Sequence, residues 1–325
     1  MHKEFLDQLN CPNCKSNKFH LLDLIKQTSQ INEGIISCNK CNLKVNIING
    51  IPRFVNQDNY TNNFGIQWNI HSKTQLDSYT NLSITHDRFY DVTGWKGQIK
   101  GEKILEVGSG AGRFTEVLLE SGAEVTSFDY SDAVVANYNN NYNKGILYLF
   151  QGDILNMPLK KHRYDKVLCL GVLQHTPDPY KSFLKLIEMV RPGGQVVIDI
   201  YKIDYLSYIQ WKYLLRPITK NINKESLYAI ISKVTPCLMP IARFFRIIGG
   251  SFLARMVPVV DYSHLGLNKK LNREWSVLDT FDMYSPKYDN PRSLKEVQSW
   301  FEKNDFDNIS VEIGINGIIG KGRKI

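Results

Sequence analysis

Between Lys103 and Tyr201 apolar runs of strand length alternate with segments of helical period: KILEVGS then FTEVLLES, EVTSFDY then DAVVANYN, LYLFQGD, KVLCLGV then YKSFLKLIEMV, and QVVIDIY. A strand that must run parallel to its predecessor needs a crossover, and an apolar run with no polar face needs cover on both sides. The rhythm therefore predicts an α/β core, a mostly parallel sheet with helices on both faces. Farther on, SLKEVQSWFEKNDF, NISVEIG and GIIGKGRK read as one more helix and two closing strands of the same sheet.

The first strand leads into Glu106-Val-Gly-Ser-Gly-Ala-Gly-Arg113, in which Gly108, Gly110 and Gly112 form G-x-G-x-G. Glycines at this spacing let the backbone turn sharply and approach a ligand closely. A nicotinamide-binding loop wants its third glycine one position later, where this chain has Arg113, so the dinucleotide reading weakens. The next strand ends at Asp129, where a carboxylate can accept both hydroxyls of an adenosine ribose. Asp153, after the third strand, is placed to meet the adenine amino group, and Glu106 suits an ammonium. Three carboxylates at successive strand ends frame a pocket for a nucleoside that carries an amino acid.

Taken in order, LEVGSGAGRF, SFDYS, QGDILNMPL, DKVLCLGVLQHTPDP and RPGGQVVI resemble the class I S-adenosylmethionine-dependent methyltransferases. The resemblance covers about Gln98 to Tyr201 and the closing strands after Ser293. It implies a Rossmann-like domain over residues 98–325, interrupted by a helical insertion at about 203–275. By the same likeness Glu106, Gly108, Gly110, Gly112, Asp129, Asp153 and Gly171 would contact S-adenosylmethionine. The competing reading is a doubly wound domain that binds another nucleotide or nothing.

Residues 1–55 alternate short apolar runs with polar turns and place Cys11-x-x-Cys14 and Cys38-x-x-Cys41 at the joints. Two such knuckles supply four thiolates for a tetrahedral Zn²⁺, and a site filled by four cysteines has no open position for an activated water. The expectation is a zinc-ribbon-like β module with a structural metal, which would replace the core that about 50 residues lack. A ribbon that reads nucleic acid is the functional alternative. Residues 56–97, from which Asp58 onward reads as short helices, are expected to form a helical linker or lid, with Phe64 and Trp68 either folded over the cofactor or packed structurally.

Methyl transfer to a hydroxyl benefits from a base near the methyl group. His175, in VLQHTPD after the fourth strand, is the candidate, with turn-capping as its alternative role. Asp178, just before Pro179, reads as a helix N-cap, and Cys169 as a small buried apolar residue.

At 43% hydrophobic and 22% charged residues, the composition excludes a disordered or collagen-like chain. An N-terminus with acidic residues and cysteines does not read as a secretory signal, so the expected location is cytoplasmic, either free or peripheral to the inner face of the membrane. Pro236, Pro240, Arg243, Arg246, Gly249, Gly250 and Arg255 interrupt the most apolar stretch, which argues against a spanning helix. From Tyr205 to Val260 there are eight Lys and Arg against Glu225 alone, interleaved with aromatics such as Tyr205, Tyr208 and Trp211. Basic amphipathic helices there would touch a membrane surface peripherally or cover an anionic acceptor, small or lipid-linked, unless they simply pack on the core.

The connection Val277 to Asp289 resembles that of zinc-ribbon methyltransferases of surface-glycan or other secondary biosynthesis. By that likeness Asp279, Asp282, Tyr284 and Tyr288 would hydrogen-bond a polyol. The functional expectation is O-methylation of a small or lipid-linked metabolite such as a sugar or glycan precursor. Its rivals are a ribosomal-RNA base methyltransferase, which the ribbon also resembles, and an inactive cofactor-binding scaffold.

Overall fold

The computed structural model describes residues 1–27, 30–55, 59–203 and 211–325; Asp58, Tyr205 and Tyr208, singled out above, lie outside the described residues. At the N-terminus β1 (Phe19–Gln27), β2 (Gln30–Cys38), β3 (Lys44–Ile48) and β4 (Ile51–Pro52) form an antiparallel sheet in sequential order. The sheet does not stand apart as a small module with its own core. Phe5, Leu9, Ile31, Ile36, Val45 and Ile47 belong to the same apolar cluster as Leu105, Val107, Phe128 and Phe150 of the larger sheet. Phe5 stacks on Phe150 at 5.5 Å between centroids, and single bridges join Leu9 to Leu159 and Arg53 to Gln151. Burial against a neighbour thus supplies the core that so short a segment cannot build alone.

Three short helices follow, α1 (Asn62–Ile70), α2 (Asp77–Thr80) and α3 (Ile84–Thr93). The repeat then runs β5 (Lys103–Val107), α4 (Arg113–Glu120), β6 (Glu124–Asp129), α5 (Val134–Asn141), β7 (Leu147–Gln151), β8 (Tyr164–Leu170), α6 (Pro179–Ile187) and β9 (Val190–Ile200). Asp178 caps α6 by accepting the Lys181 N–H, as the Asp-Pro pair predicts, and Cys169 is buried in β8.

The insertion holds α7 (Trp211–Thr219), α8 (Lys224–Ala254) and α9 (Lys269–Tyr284). Its helical part thus runs nine residues beyond the expected boundary at 275, and the stretch expected as a connection is helix as far as Tyr284. Asn268 caps that helix, and Leu271, Trp275, Leu278 and Phe281 recur on its buried face. Although α8 contains two prolines, its length and composition suffice to cross a membrane, and only 11% of its most apolar stretch is buried inside the protein. The interruptions read from the sequence therefore do not remove a candidate span. After α10 (Leu294–Glu302), β10 (Phe306–Gly314) and β11 (Gly317–Lys324) close the chain.

The seven strands lie in the order β10-β11-β9-β8-β5-β6-β7. From β9 to β7 all are parallel, while β11 runs antiparallel between β9 and β10. The strand order reverses between β5 and β8, so a crevice opens at their C-terminal ends, where ligands of such sheets bind.

Candidate active site

The loops after β5, β6, β7 and β8 meet in a cavity of about 1080 Å³ at this crevice. Gly108, Gly110, Asp129, Asp153, Gly171 and His175 all line it. At Gly108 φ is 78°, and a Cβ would lie 2.3 Å from the Val172 side chain, so the turn admits only glycine. Its neighbour Gly110 donates its N–H to Asp129 Oδ2 at 2.9 Å, while Asp129 Oδ1 accepts from the Ser131 N–H and hydroxyl at 2.8 and 2.7 Å. Burial raises the Asp129 pKa against these hydrogen bonds. Asp153 holds its own turn through the Leu155 N–H at 2.8 Å.

Two of the expected cofactor residues do not line the cavity. Gly112 begins α4 with φ 87°, and a Cβ there would meet Asn137 Oδ1 at 2.2 Å; its small size serves helix packing. Glu106 is buried behind the glycine loop, where Oε2 accepts from the hydroxyls of Thr115 and Ser127. Its Oε1 has no partner among the described residues, and burial pushes the carboxyl up to about 7.

His175 lines the cavity from a short 3-10 turn after β8. Its Nδ1 lies 3.0 Å from the Tyr288 carbonyl oxygen, and its ring packs between Phe64 and Tyr201, with centroids 5.1 and 5.5 Å away. A carbonyl can only accept, so Nδ1 carries the hydrogen and a neutral ring keeps its lone pair on Nε2. Phe64 and Trp68, both on α1, line the cavity too, with Trp68 against Gly110.

Of the four polar residues expected from the 277–289 region, Asp279 and Asp282 line the cavity. Asp279 accepts from the Tyr262 hydroxyl, Trp275 Nε1 at 3.2 Å and Gln75 Nε2 at 3.3 Å, and burial pushes it up to about 6. Asp282 accepts from the Tyr201 hydroxyl at 3.3 Å. The other two are turned to structural work: Tyr284 donates to the Pro258 carbonyl at 2.8 Å, and the Tyr288 ring packs edge-on against Tyr60.

Sequence reasoning missed Arg88, Arg113, Asp199 and Tyr262. Asp199, at the end of β9, accepts from the Gly171 N–H and from Arg88 at 2.8 Å, and so fixes the turn beside the cavity. Its signal was a carboxylate inside the apolar run QVVIDIY. Arg113 lines the cavity over the Phe114 ring at 4.6 Å, and burial lowers its pKa to about 10, so it stays cationic. The replacement of a third glycine by arginine could have flagged it; Arg88, within a polar helix, gave no signal.

Away from the cavity, the sulfurs of Cys11, Cys14, Cys38 and Cys41 lie within 4.8 Å of one another, with Cys11 to Cys41 at 3.5 Å and Cys14 to Cys38 at 3.6 Å. Four thiolates at about 2.3 Å from a tetrahedral Zn²⁺ stand roughly 3.8 Å apart, so the donor set and spacing fit that ion.

Residues 105–198 match the model of a methyltransferase domain. A ubiquinone biosynthesis O-methyltransferase of Coxiella burnetii is 29% identical over 114 residues, 34% of this chain and 48% of its own. One of the same description from Aeromonas salmonicida is 24% identical over 208 residues, 61% of this chain and 82% of its own. The chain thus spans about half the length of the first of these relatives. Among solved structures, a SAM-dependent methyltransferase from Methanosarcina mazei aligns over 70% of this chain and 93% of its own, at 12% identity and a TM-score of 0.41.

Proposed function

We propose that this chain, whose residues 105–198 match a methyltransferase-domain model, is a class I S-adenosylmethionine-dependent methyltransferase that methylates a hydroxyl of a small or lipid-linked acceptor, such as a sugar or glycan precursor. The observation that carries this reading is His175, which lines the same cavity as the glycine loop and has its Nδ1 committed to the Tyr288 carbonyl. The relatives described as O-methyltransferases support oxygen as the accepting atom.

S-adenosylmethionine, when bound, supplies an electrophilic methyl group. In this reading Asp129 holds the ribose hydroxyls, Asp153 the adenine edge, and Gly108, Gly110 and Gly171 let the backbone come close. Glu106 acts from behind the loop. His175 Nε2 would take the proton that the acceptor hydroxyl gives up when its oxygen receives the methyl group. Asp279, Asp282 and Tyr201 orient a polyol, and Phe64 and Trp68 exclude water. Alignment accounts for most of the rate in such a displacement. Arg113 offers a buried cation for a carboxylate or phosphate.

The four-cysteine cluster takes a structural Zn²⁺ in this reading, because all four positions are thiolates and none lines the cavity.

The test incubates the purified protein and methyl-labelled S-adenosylmethionine with an extract of cells that lack this chain, then fractionates the label. Label in soluble or lipid-linked glycan supports the proposal. Label in RNA overturns the acceptor, and absence of cofactor affinity in calorimetry overturns the enzyme reading itself.

A further inference from the structure

We infer that the outer face of α8 docks on an anionic lipid bilayer and lies flat in its headgroup region. Ile230, Val234, Ile241, Phe244 and Ile248 follow one another at steps of four, seven, three and four residues, which places them on one side of the helix. Each is between 44 and 59% exposed. On a soluble chain a contiguous apolar row of this length marks a surface that something covers.

An adjoining side of α8 is committed to protein. Leu227 and Ile231 pack with Val277, Phe281 and Tyr284, and Ala242 with Val257 and Val259. A helix held along one side, and broken from helical geometry at Gly249 and Gly250, is suited to lying on a membrane rather than crossing it. Beyond the break, the Trp211 indole donates to the Met256 carbonyl at 2.8 Å and is itself 36% exposed, a side chain suited to the headgroup level.

Charge selects the occupant. Lys233, Arg243 and Arg255 are exposed along the same segment, whose only acidic residue in sequence is Glu225 at its start. Such a border favours acidic lipid headgroups. A second copy of this chain would instead meet the row with the same cations. Trp211, Arg246, Ser251 and Arg255 also line the cavity, so part of its wall belongs to the same insertion. Delivery of a lipid-linked acceptor from the bilayer to that cavity rests on the methyl-transfer reading; the docking does not.

The experiment is sedimentation of the full chain with vesicles of phosphatidylcholine alone and of phosphatidylcholine with phosphatidylglycerol, at low and high salt. Partition onto the phosphatidylglycerol vesicles is expected, weakened by salt. Phe244→Ser with Ile248→Ser should lower it on the order of tenfold, and Lys233→Gln with Arg243→Gln by about fivefold per charge. Cofactor affinity measured by calorimetry should stay unchanged in both variants, which separates lost docking from a lost fold and from failure of the methyl-transfer reading. The inference is overturned if the wild-type chain ignores both vesicles. It is equally overturned if light scattering finds a dimer that Phe244→Ser with Ile248→Ser converts to a monomer.

Discussion

His175 Nδ1 and the carbonyl oxygen of Tyr288 are 3.0 Å apart across 113 residues of sequence, so the segment after the insertion sets the tautomer of a ring that stands after β8. If Nε2 takes the acceptor proton, His175→Ala should lower kcat by about 10²- to 10⁴-fold and leave cofactor affinity unchanged. Initial rates with labelled cofactor, set beside calorimetry, decide it; a kcat close to that of the wild type would remove His175 from the chemistry.

Asp129 binds the glycine loop and its own turn at once, through Gly110 and Ser131. Asp129→Ala should abolish cofactor affinity in calorimetry, because the ribose loses its acceptor and the loop its anchor. Normal binding by this variant would show that the pocket is misplaced.

Glu106 predicts a pH dependence of stability. Its folded pKa of about 7 lies above the ordinary 4.5, so the folded chain holds the proton more tightly than the unfolded one. The resulting stabilisation is complete below about 4.5 and is lost as pH rises through about 7, by at most about 1.4 kcal/mol per pH unit. In cofactor-free protein Glu106→Gln should therefore melt higher than the wild type at pH 8, with the gap closing by pH 5. Parallel melting curves across that range would contradict the buried, protonated carboxyl.

Freshly purified protein should contain about one zinc per chain, and Cys38→Ser with Cys41→Ser should contain none. Because Ile31, Ile36, Val45 and Ile47 sit in the core shared with β5 and β6, loss of the metal should lower the melting temperature of the whole chain. Elemental analysis and calorimetric melting test the two parts separately. Native protein without zinc would end the assignment.

The part of the cavity wall at the strand ends was legible because it is local. Gly108, Gly110, Asp129 and Asp153 each stand within a few residues of a strand end, and the alternation of strand and helix fixes where those ends converge. The part of the wall that the insertion supplies was not. Asp279 was read on a connection and stands on α9, since a short stretch with alternating carboxylates and aromatics does not reveal its period without the helix that surrounds it. Asp199 and Arg88 pair across 111 residues, a distance no motif spans.

By itself the sequence determined the elements of the parallel sheet, the glycine turn and the pairing of the four cysteines into two knuckles, because each depends on the conformational preference or chemistry of neighbouring residues. The tertiary structure decided which sides of those elements meet. It merged the N-terminal sheet into the main core, withdrew Glu106 and Gly112 from the cavity wall, brought Tyr288 to His175, and left one row of α8 uncovered. Burial and long-range pairing are properties of the whole packed chain, and the side chain that will cover a given face is set by topology rather than by its neighbours in sequence.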